Sequence, residues 1–213
     1  MSMPLGRAVA VVPRTGPAAP RAVGGVRAAT RARIEQAALE LFTAAGFEQV
    51  TIEEIAAAAH TSRRTFFRHV GSKADAVWGD FTAHVDRLAG LLEAAGDDVP
   101  VLPAVFAAYV EVNDYAEADL PLLRQRMRLI LTEPALLAHS QVRYADVDRV
   151  VAGYVARRCG EGPTALVPRL VATATRAAAT TAFEAWISGA APSLADALRT
   201  AFGQLAAGFP DLR

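Results

Sequence analysis

From Thr30 to Ala207 apolar residues recur at helical spacing, and no alternation of apolar and polar residues lasts long enough for a strand. A chain patterned this way can bury its apolar stripes only by packing helix on helix, so the fold class is all-α. Turn signals cut the pattern into about nine helices. Order is expected near Thr30, where Ile34, Ala37, Ala38, Leu41, Phe42 and Ala45 share a face and Gly46 ends the first helix. Thr51 and Glu54 have the spacing of a capping box for a second helix with Ile52, Ile55, Ala56 and Ala59 on its apolar side. After a break at His60 and Thr61, Ser62 caps a third helix, Arg63 to Val70, closed by Gly71. Ser72 caps again with Asp75 three residues on, and one long amphipathic helix is predicted through Trp78, Phe81, Val85, Leu88 and Leu92 to Gly96. Five more blocks follow, Val101 to Tyr115, Leu120 to Leu131, Pro134 to Arg158, Leu166 to Ser188 and Leu194 to Ala207.

Composition narrows the function classes. The 213 residues hold 22 basic and 22 acidic side chains, four histidines and one cysteine. Cys159 alone can form neither an internal disulfide nor a thiolate metal cage, and it reads as a small apolar residue near a helix end. The longest charge-free run, Val99 to Val110, falls well short of the roughly 20 apolar residues a membrane span needs. Ala8 to Val12 is too short for the apolar core of a secretory signal. The expectation is a cytoplasmic protein without metal or cofactor. The 47 alanines, and 21 arginines against one lysine, fit a GC-rich bacterial genome and say little about function.

The balanced total hides a polarity. Residues 1 to 80 carry ten basic and seven acidic side chains, and 81 to 213 carry twelve and fifteen. The basic end is the candidate nucleic-acid end. Residues 1–27 contain Arg7, Arg14, Arg21 and Arg27, no acid, and repeated Pro and Gly, which reads as a disordered basic arm. Such an arm is either dispensable or follows DNA phosphates and the minor groove.

The two short helices between Thr51 and Val70 have the layout of a helix-turn-helix. With Phe66 and Val70 facing inward, Arg63, Arg64 and Thr65 point from the amino end of the second helix toward a major groove about 12 Å wide, where arginine pairs bidentately with guanine. Solvated surface charges are the plainer reading of the arginines, and their place directly after Ser62 argues against it. Thr51, Ser62, His69 and Lys73 are placed to hold phosphates on either side, and Arg68 is a further DNA-contact candidate. Lys73 also opposes the dipole of the helix it starts, which asks for a negative partner. A single short recognition helix reads few base pairs, so the target is a pseudo-palindrome and the protein a homodimer.

Residues 31 to 81, AALELFTAAGFEQVTIEEIAAAAHTS through RRTFFRHVGSKADAVWGDF, resemble the DNA-binding domain of the TetR family of bacterial regulators. The segments RRTFFRHVGSKADAVWGDF, RQRMRLILTEPALLAHSQVRY and AFEAWI resemble the regulators associated with mycofactocin biosynthesis. The resemblance implies a three-helix DNA-binding domain (28–75) followed by a helical ligand-binding and dimerisation domain (76–213). It departs from the family pattern twice. His60 stands where glycine is usual and is expected in a left-handed conformation, which histidine tolerates better than most. Phe67 stands where tyrosine is common, which leaves it packing or thymine-methyl contact.

In the second domain Arg124 and Arg128 lie one turn apart, with Arg126 to the side. They suit either an acidic ligand or ion pairs with Glu111, Asp114, Glu117 or Asp119. His139, Arg143 and Tyr144 fall on successive turns and line the same cavity or simply pack, and Trp78 and Phe81 complete the candidate ligand set. Ala172, Ala174, Ala177, Ala178, Ala179, Ala182 and Ala185 let helices approach closely, which marks the last two helices as the dimer interface. The function predicted is a ligand-responsive, sequence-specific DNA-binding regulator, a repressor released by a small apolar or acidic effector, with acyl-CoA suggested by the subgroup. A DNA-binding regulator without effector leaves some 130 residues of added helix unexplained. A hydrolase built on His139, Ser140 and Asp146 or Asp148 lacks a nucleophile elbow and an oxyanion hole.

Overall fold

The computed structural model describes residues 22–210, and among them every regular element is helical. Nine α-helices follow one another: α1 (Ala22–Ala45), α2 (Ile52–Ala58), α3 (Arg63–His69), α4 (Phe81–Ala94), α5 (Val101–Val112), α6 (Leu120–Thr132), α7 (Pro134–Cys159), α8 (Leu166–Ser188) and α9 (Leu194–Ala207). Short 3-10 turns at Ala74–Val77 and Glu117–Asp119 precede α4 and α6. No described helix is long and apolar enough to cross a membrane.

The first three helices close on Ile34, Leu39 and Phe42 from α1, Ile55 from α2 and Phe66 from α3, each at most 1% exposed. Thr51 accepts from the Glu54 N–H at 3.2 Å while the Glu54 carboxylate accepts from the Thr51 N–H at 2.8 Å, completing the capping box. The cap expected at Ser62 also forms, its Oγ accepting from the Thr65 N–H at 3.1 Å, and Ser72 Oγ accepts from the Asp75 N–H at 3.1 Å. His60 takes φ +51, the left-handed conformation expected of it.

Two boundaries differ from expectation. Residues 1–21 of the expected basic arm lie outside the described residues, but α1 already begins at Ala22 rather than near Thr30. The Ala- and Arg-rich stretch from Val26 to Arg33 has high helix propensity and extends the packed helix backward past two glycines. The long helix predicted from Ser72 to Gly96 is instead two pieces. Gly79, at φ +63, ends the first, and the Asp80 carboxylate starts α4 by accepting from the Ala83 N–H at 3.2 Å. A cap inside an otherwise unbroken apolar pattern outweighed the pattern.

The second domain packs α4 on α5 and α7, α7 on α8, and α8 on α9. Of the alanines assigned to a dimer interface, Ala172, Ala179 and Ala182 are buried within the protomer. The face of α8 left open is the stripe Leu166, Leu170, Thr173, Ala177 and Thr181 at helical spacing, which shares only Ala177 with that set. Leu166 is 79% and Leu170 60% exposed, with no partner for their apolar surface among the described residues. Cys159 lies at the end of α7 beside Gly160, where the sequence placed it, and is exposed.

Candidate nucleic-acid interface and internal cavity

The capped α3 presents its polar side outward because Phe66 fixes the other side in the core. Arg63, Arg64, Phe67 and Arg68 are exposed, and Thr65 and His69 are half-buried. Arg64 and Arg68 have no carboxylate partner among the described residues. Arg63 is held differently: its guanidinium meets Glu53 of α2 at 2.8 Å and lies 5.6 Å from the centre of the Phe67 ring. Any base contact by Arg63 therefore exchanges an exposed ion pair of small worth. His69 titrates below the ordinary histidine range, first from partial burial and then from the charges of Arg68, Arg27 and Arg31, which marks this face as positive. Thr65 Oγ1 is engaged by Ser62 Oγ at 3.0 Å, so both hydroxyls of the cap belong to one local network.

Lys73 has a partner the sequence did not reveal. Its ammonium donates to the carbonyls of Phe47 at 2.7 Å, Val50 at 3.0 Å and Glu48 at 3.4 Å, and sits 4.3 Å from the Phe47 ring centre. The negative counterpart demanded by its charge is thus the turn between α1 and α2, and the inference from that charge to a phosphate is corrected. Three carbonyls of a tight turn, with a π-face beneath, form a cation seat suited to a lysine's compact head.

Between α3 and α4 the connector is tied to the second domain at two places. Asp75 accepts from Ser72 Oγ at 2.7 Å, from His139 Nε2 at 3.1 Å and from Arg143 of α7. Burial alone would raise this carboxyl, but the hydrogen bonds from Arg143, Ser72 and His139 together hold it below its usual range. His139 and Arg143, expected to line a ligand cavity, instead grip the connector. The second tie gathers Arg31 and Glu35 of α1, Gly79, and Arg126 of α6. Arg31 donates to Glu35 at 2.7 Å and to the Gly79 carbonyl at 2.5 Å, and Arg126 Nη2 reaches Glu35 Oε2 at 3.4 Å.

Directly behind this tie lies a cavity of about 380 Å³ inside the second domain. Trp78, Phe81, Tyr109, Tyr115, Tyr144 and Phe183 give it an aromatic wall. The rings of Trp78 and Tyr144 meet edge to face with centroids 5.5 Å apart, and those of Trp78 and Phe81 at 5.0 Å. Burial pushes the Tyr144 hydroxyl up to about 12 and Tyr109 higher still, so both remain protonated donors at neutral pH. The cations on the wall are Arg87, Arg126 and Arg176. Of the expected ligand set, Trp78, Phe81 and Tyr144 line this cavity.

Arg124 and Arg128 do not. They line a separate cavity of about 700 Å³ between the end of α1, α6 and the loop after α8. Arg124 stacks 4.5 Å from the Trp186 ring centre and donates to the Trp186 carbonyl at 3.3 Å. The ion pairs offered as their alternative, with Glu111, Asp114, Glu117 or Asp119, do not form in this structure. Sequence reasoning passed over Glu35 and Gly79 and read Asp75 only as the partner of the Ser72 cap, since the distant hydrogen-bond partners of all three lie 48 to 91 residues away. Gly79 carried a local signal, as a helix stop before Asp80, and Asp75 carried its spacing from Ser72, but neither pointed to its distant partner.

Comparison with known proteins agrees with this arrangement. Residues 34–75 match the description "Bacterial regulatory proteins, tetR family", and residues 99–210 match "MftR C-terminal domain". The chain is 39% identical over 190 residues, 89% of its length and 96% of the relative's, to a Mycobacterium tuberculosis protein named as a mycofactocin biosynthesis transcriptional regulator, MftR. It shares its fold with the fatty acid degradation regulator FadR of Bacillus halodurans, at TM-score 0.60 and 16% identity over 85% of this chain and 99% of that one. It shares it also with a SmeT–triclosan complex, at TM-score 0.58 and 19% identity over 82% and 90%. The chain belongs to the TetR family of bacterial transcriptional regulators, with an amino-terminal helix-turn-helix DNA-binding domain and a carboxyl-terminal domain of the MftR type.

Proposed function

We propose that this regulator is a homodimeric repressor that reads a pseudo-palindromic operator with α3 and is released by a small apolar or acidic effector bound in the aromatic cavity. The observation that carries this reading is the connector between α3 and α4. Asp75 within it is gripped by α7, while Trp78, three residues on, forms part of the cavity wall. Filling the cavity and re-aiming α3 therefore act on one short segment. In a dimer that change alters the separation of the two recognition helices.

Arg63, Arg64 and Thr65 read bases in this proposal, while Thr51, Ser62, Arg68 and His69 hold phosphates and Phe67 packs or meets a thymine methyl. Pairing uses the open stripe of α8 from Leu166 to Thr181 together with α9. On the likeness to mycofactocin-associated regulators, a long-chain acyl-CoA is the first effector to test. Ser140, the only nucleophile offered for a hydrolase, is wholly buried with its hydroxyl donating to the Leu137 carbonyl at 2.7 Å.

The test is a binding isotherm on DNA from the promoter of its own gene, with footprinting, with and without acyl-CoA. A protected palindrome is expected, and Arg64→Ala should cost on the order of 1 to 3 kcal/mol and relax one position of it. An effector that lowers operator affinity ~10-fold should bind the operator complex ~10-fold more weakly. No protected site, or an Arg64 variant indistinguishable from wild type, would overturn the reading.

A further inference from the structure

The polar groups of the aromatic cavity are unbalanced in two independent ways. Its wall carries three arginines and one carboxylate, Asp80. Arg176 is matched by Asp148 of α7, with Nε at 2.9 and 3.1 Å from the two carboxylate oxygens, and Arg87 donates to the Glu111 carbonyl at 3.0 Å. Arg126 has only the 3.4 Å contact with Glu35, a carboxylate already held closer by Arg31 at 2.7 Å. One carboxylate thus serves two guanidiniums, and the one on the cavity wall has the poorer share.

The second imbalance concerns hydrogen bonds. Four buried side-chain atoms lack a partner among the described residues, and three of them, Trp78 Nε1, Tyr109 Oη and Arg126 Nε, belong to residues of this one cavity. Each is a donor, and no acceptor-only group is left over beside them. Buried donors without partners are costly, and native proteins keep few of them. A site with surplus positive charge and surplus donors is complementary to an oxygen-rich anion, and its aromatic wall is complementary to an apolar body.

We infer that this cavity takes an acidic small molecule, an apolar or aromatic body bearing a carboxylate, and that Arg126 receives that carboxylate in competition with Glu35. The inference rests on the ligand-responsive reading above and narrows its effector from apolar or acidic to acidic. It also gives the ligand a direct route to the DNA-binding domain. Glu35 lies on α1 and Arg126 on α6, so a ligand that draws the guanidinium into the cavity loosens the α1–α6 tie. Gly79 packs against the same guanidinium while its carbonyl stays with Arg31 of α1, so the connector and α1 are loosened from α6 together.

The experiment is calorimetric titration of the full-length dimer, without DNA, using two matched pairs: naphthoate against naphthalenemethanol, and octanoate against octanol. Within at least one pair the acid is expected to bind ~10-fold or more tightly than the alcohol. Arg126→Gln should reduce the acid to the affinity of the alcohol. Glu35→Gln should do the opposite and tighten the acid, because it removes the competitor for Arg126, and neither variant should move the alcohols. A merely structural role for Arg126 cannot produce that opposite pair of effects. Acid and alcohol binding alike, no binding by any of the four, an acid preference that survives Arg126→Gln, or weaker acid binding in Glu35→Gln would each overturn the inference. The titrations contain no DNA, so the two readings fail separately. A protein that binds operator without acid preference sinks only this inference, and one that prefers acids but ignores operator sinks only the regulator reading.

Discussion

The guanidinium of Arg126 lies flat against Gly79, so close that a Cβ on Gly79 would stand 2.5 Å from Nη1 and 2.9 Å from Cζ. Gly79 is also left-handed, at φ +63. The residue is therefore held to glycine twice, once by its backbone and once by a side chain from 47 positions further along the chain. Gly79→Ala should cost about 1 to 3 kcal/mol, combining left-handed strain with displacement of the half-buried Arg126 side chain. Gly46→Ala is the control, since φ there is +84 but no atom lies within 4 Å of its Cβ position. Urea denaturation of both variants checks this: Gly79→Ala should be the more destabilised, and equal losses would remove the steric part.

Much of the fold was legible because it depends on local signals. Thr51 and Ser62 cap the helices they were expected to cap, His60 is left-handed as its place in the turn required, and the bounds of α8 and α9 fall where Leu166, Gly189, Leu194 and Gly208 put them. What failed was whatever depends on distant partners. Nothing near Lys73 in sequence announces the carbonyls of Phe47 and Val50, and nothing on α7 announces that His139 and Arg143 converge on Asp75. Arg124, Arg126 and Arg128 show the limit most clearly. Spacing sets Arg126 apart from the other two, and the fold does the same, but it is Arg126 that stands on the aromatic wall. Periodicity says which residues share a face and is silent on what that face meets.

Lys73→Met should separate a structural lysine from a phosphate-binding one. Removing the ammonium leaves the carbonyls of Phe47 and Val50, both within 3.0 Å of it, without their donor, at a cost of about 1 to 3 kcal/mol in stability. The turn it braces carries Thr51, so operator affinity should also fall, equally for all sequences. The salt dependence of binding decides the cause. A lost phosphate contact lowers the slope of log affinity against log salt by about one, whereas loss of the brace leaves the slope unchanged. An unchanged slope is expected, and a slope reduced by one would restore Lys73 to the phosphate set.

His84 on the cavity wall should give the protein an acid sensitivity distinct from that of its carboxylates. Burial, and then the charge of Arg87, lowers its imidazole to about 4, and its ring stacks on Phe81 with centroids 5.8 Å apart. Above the ordinary histidine value of about 6.5 both folded and unfolded chains hold it neutral, and it contributes nothing to pH dependence. As pH falls from about 6.5 toward 4 the unfolded chain takes up the proton and the folded one does not, so stability declines through that window and levels off below it. The full difference is on the order of 3 kcal/mol. Asp75 acts in the same direction but lower: its depressed carboxyl lends stability above the ordinary aspartate value, and that stability is lost only as pH falls through the folded value beneath it. His84→Gln should therefore flatten the stability profile between pH 6.5 and 4 while leaving the acid limb below 4 in place. Chemical denaturation at half-unit pH steps would show this, and a variant whose profile kept its slope between 6.5 and 4 would mean that His84 is free to protonate in the folded protein.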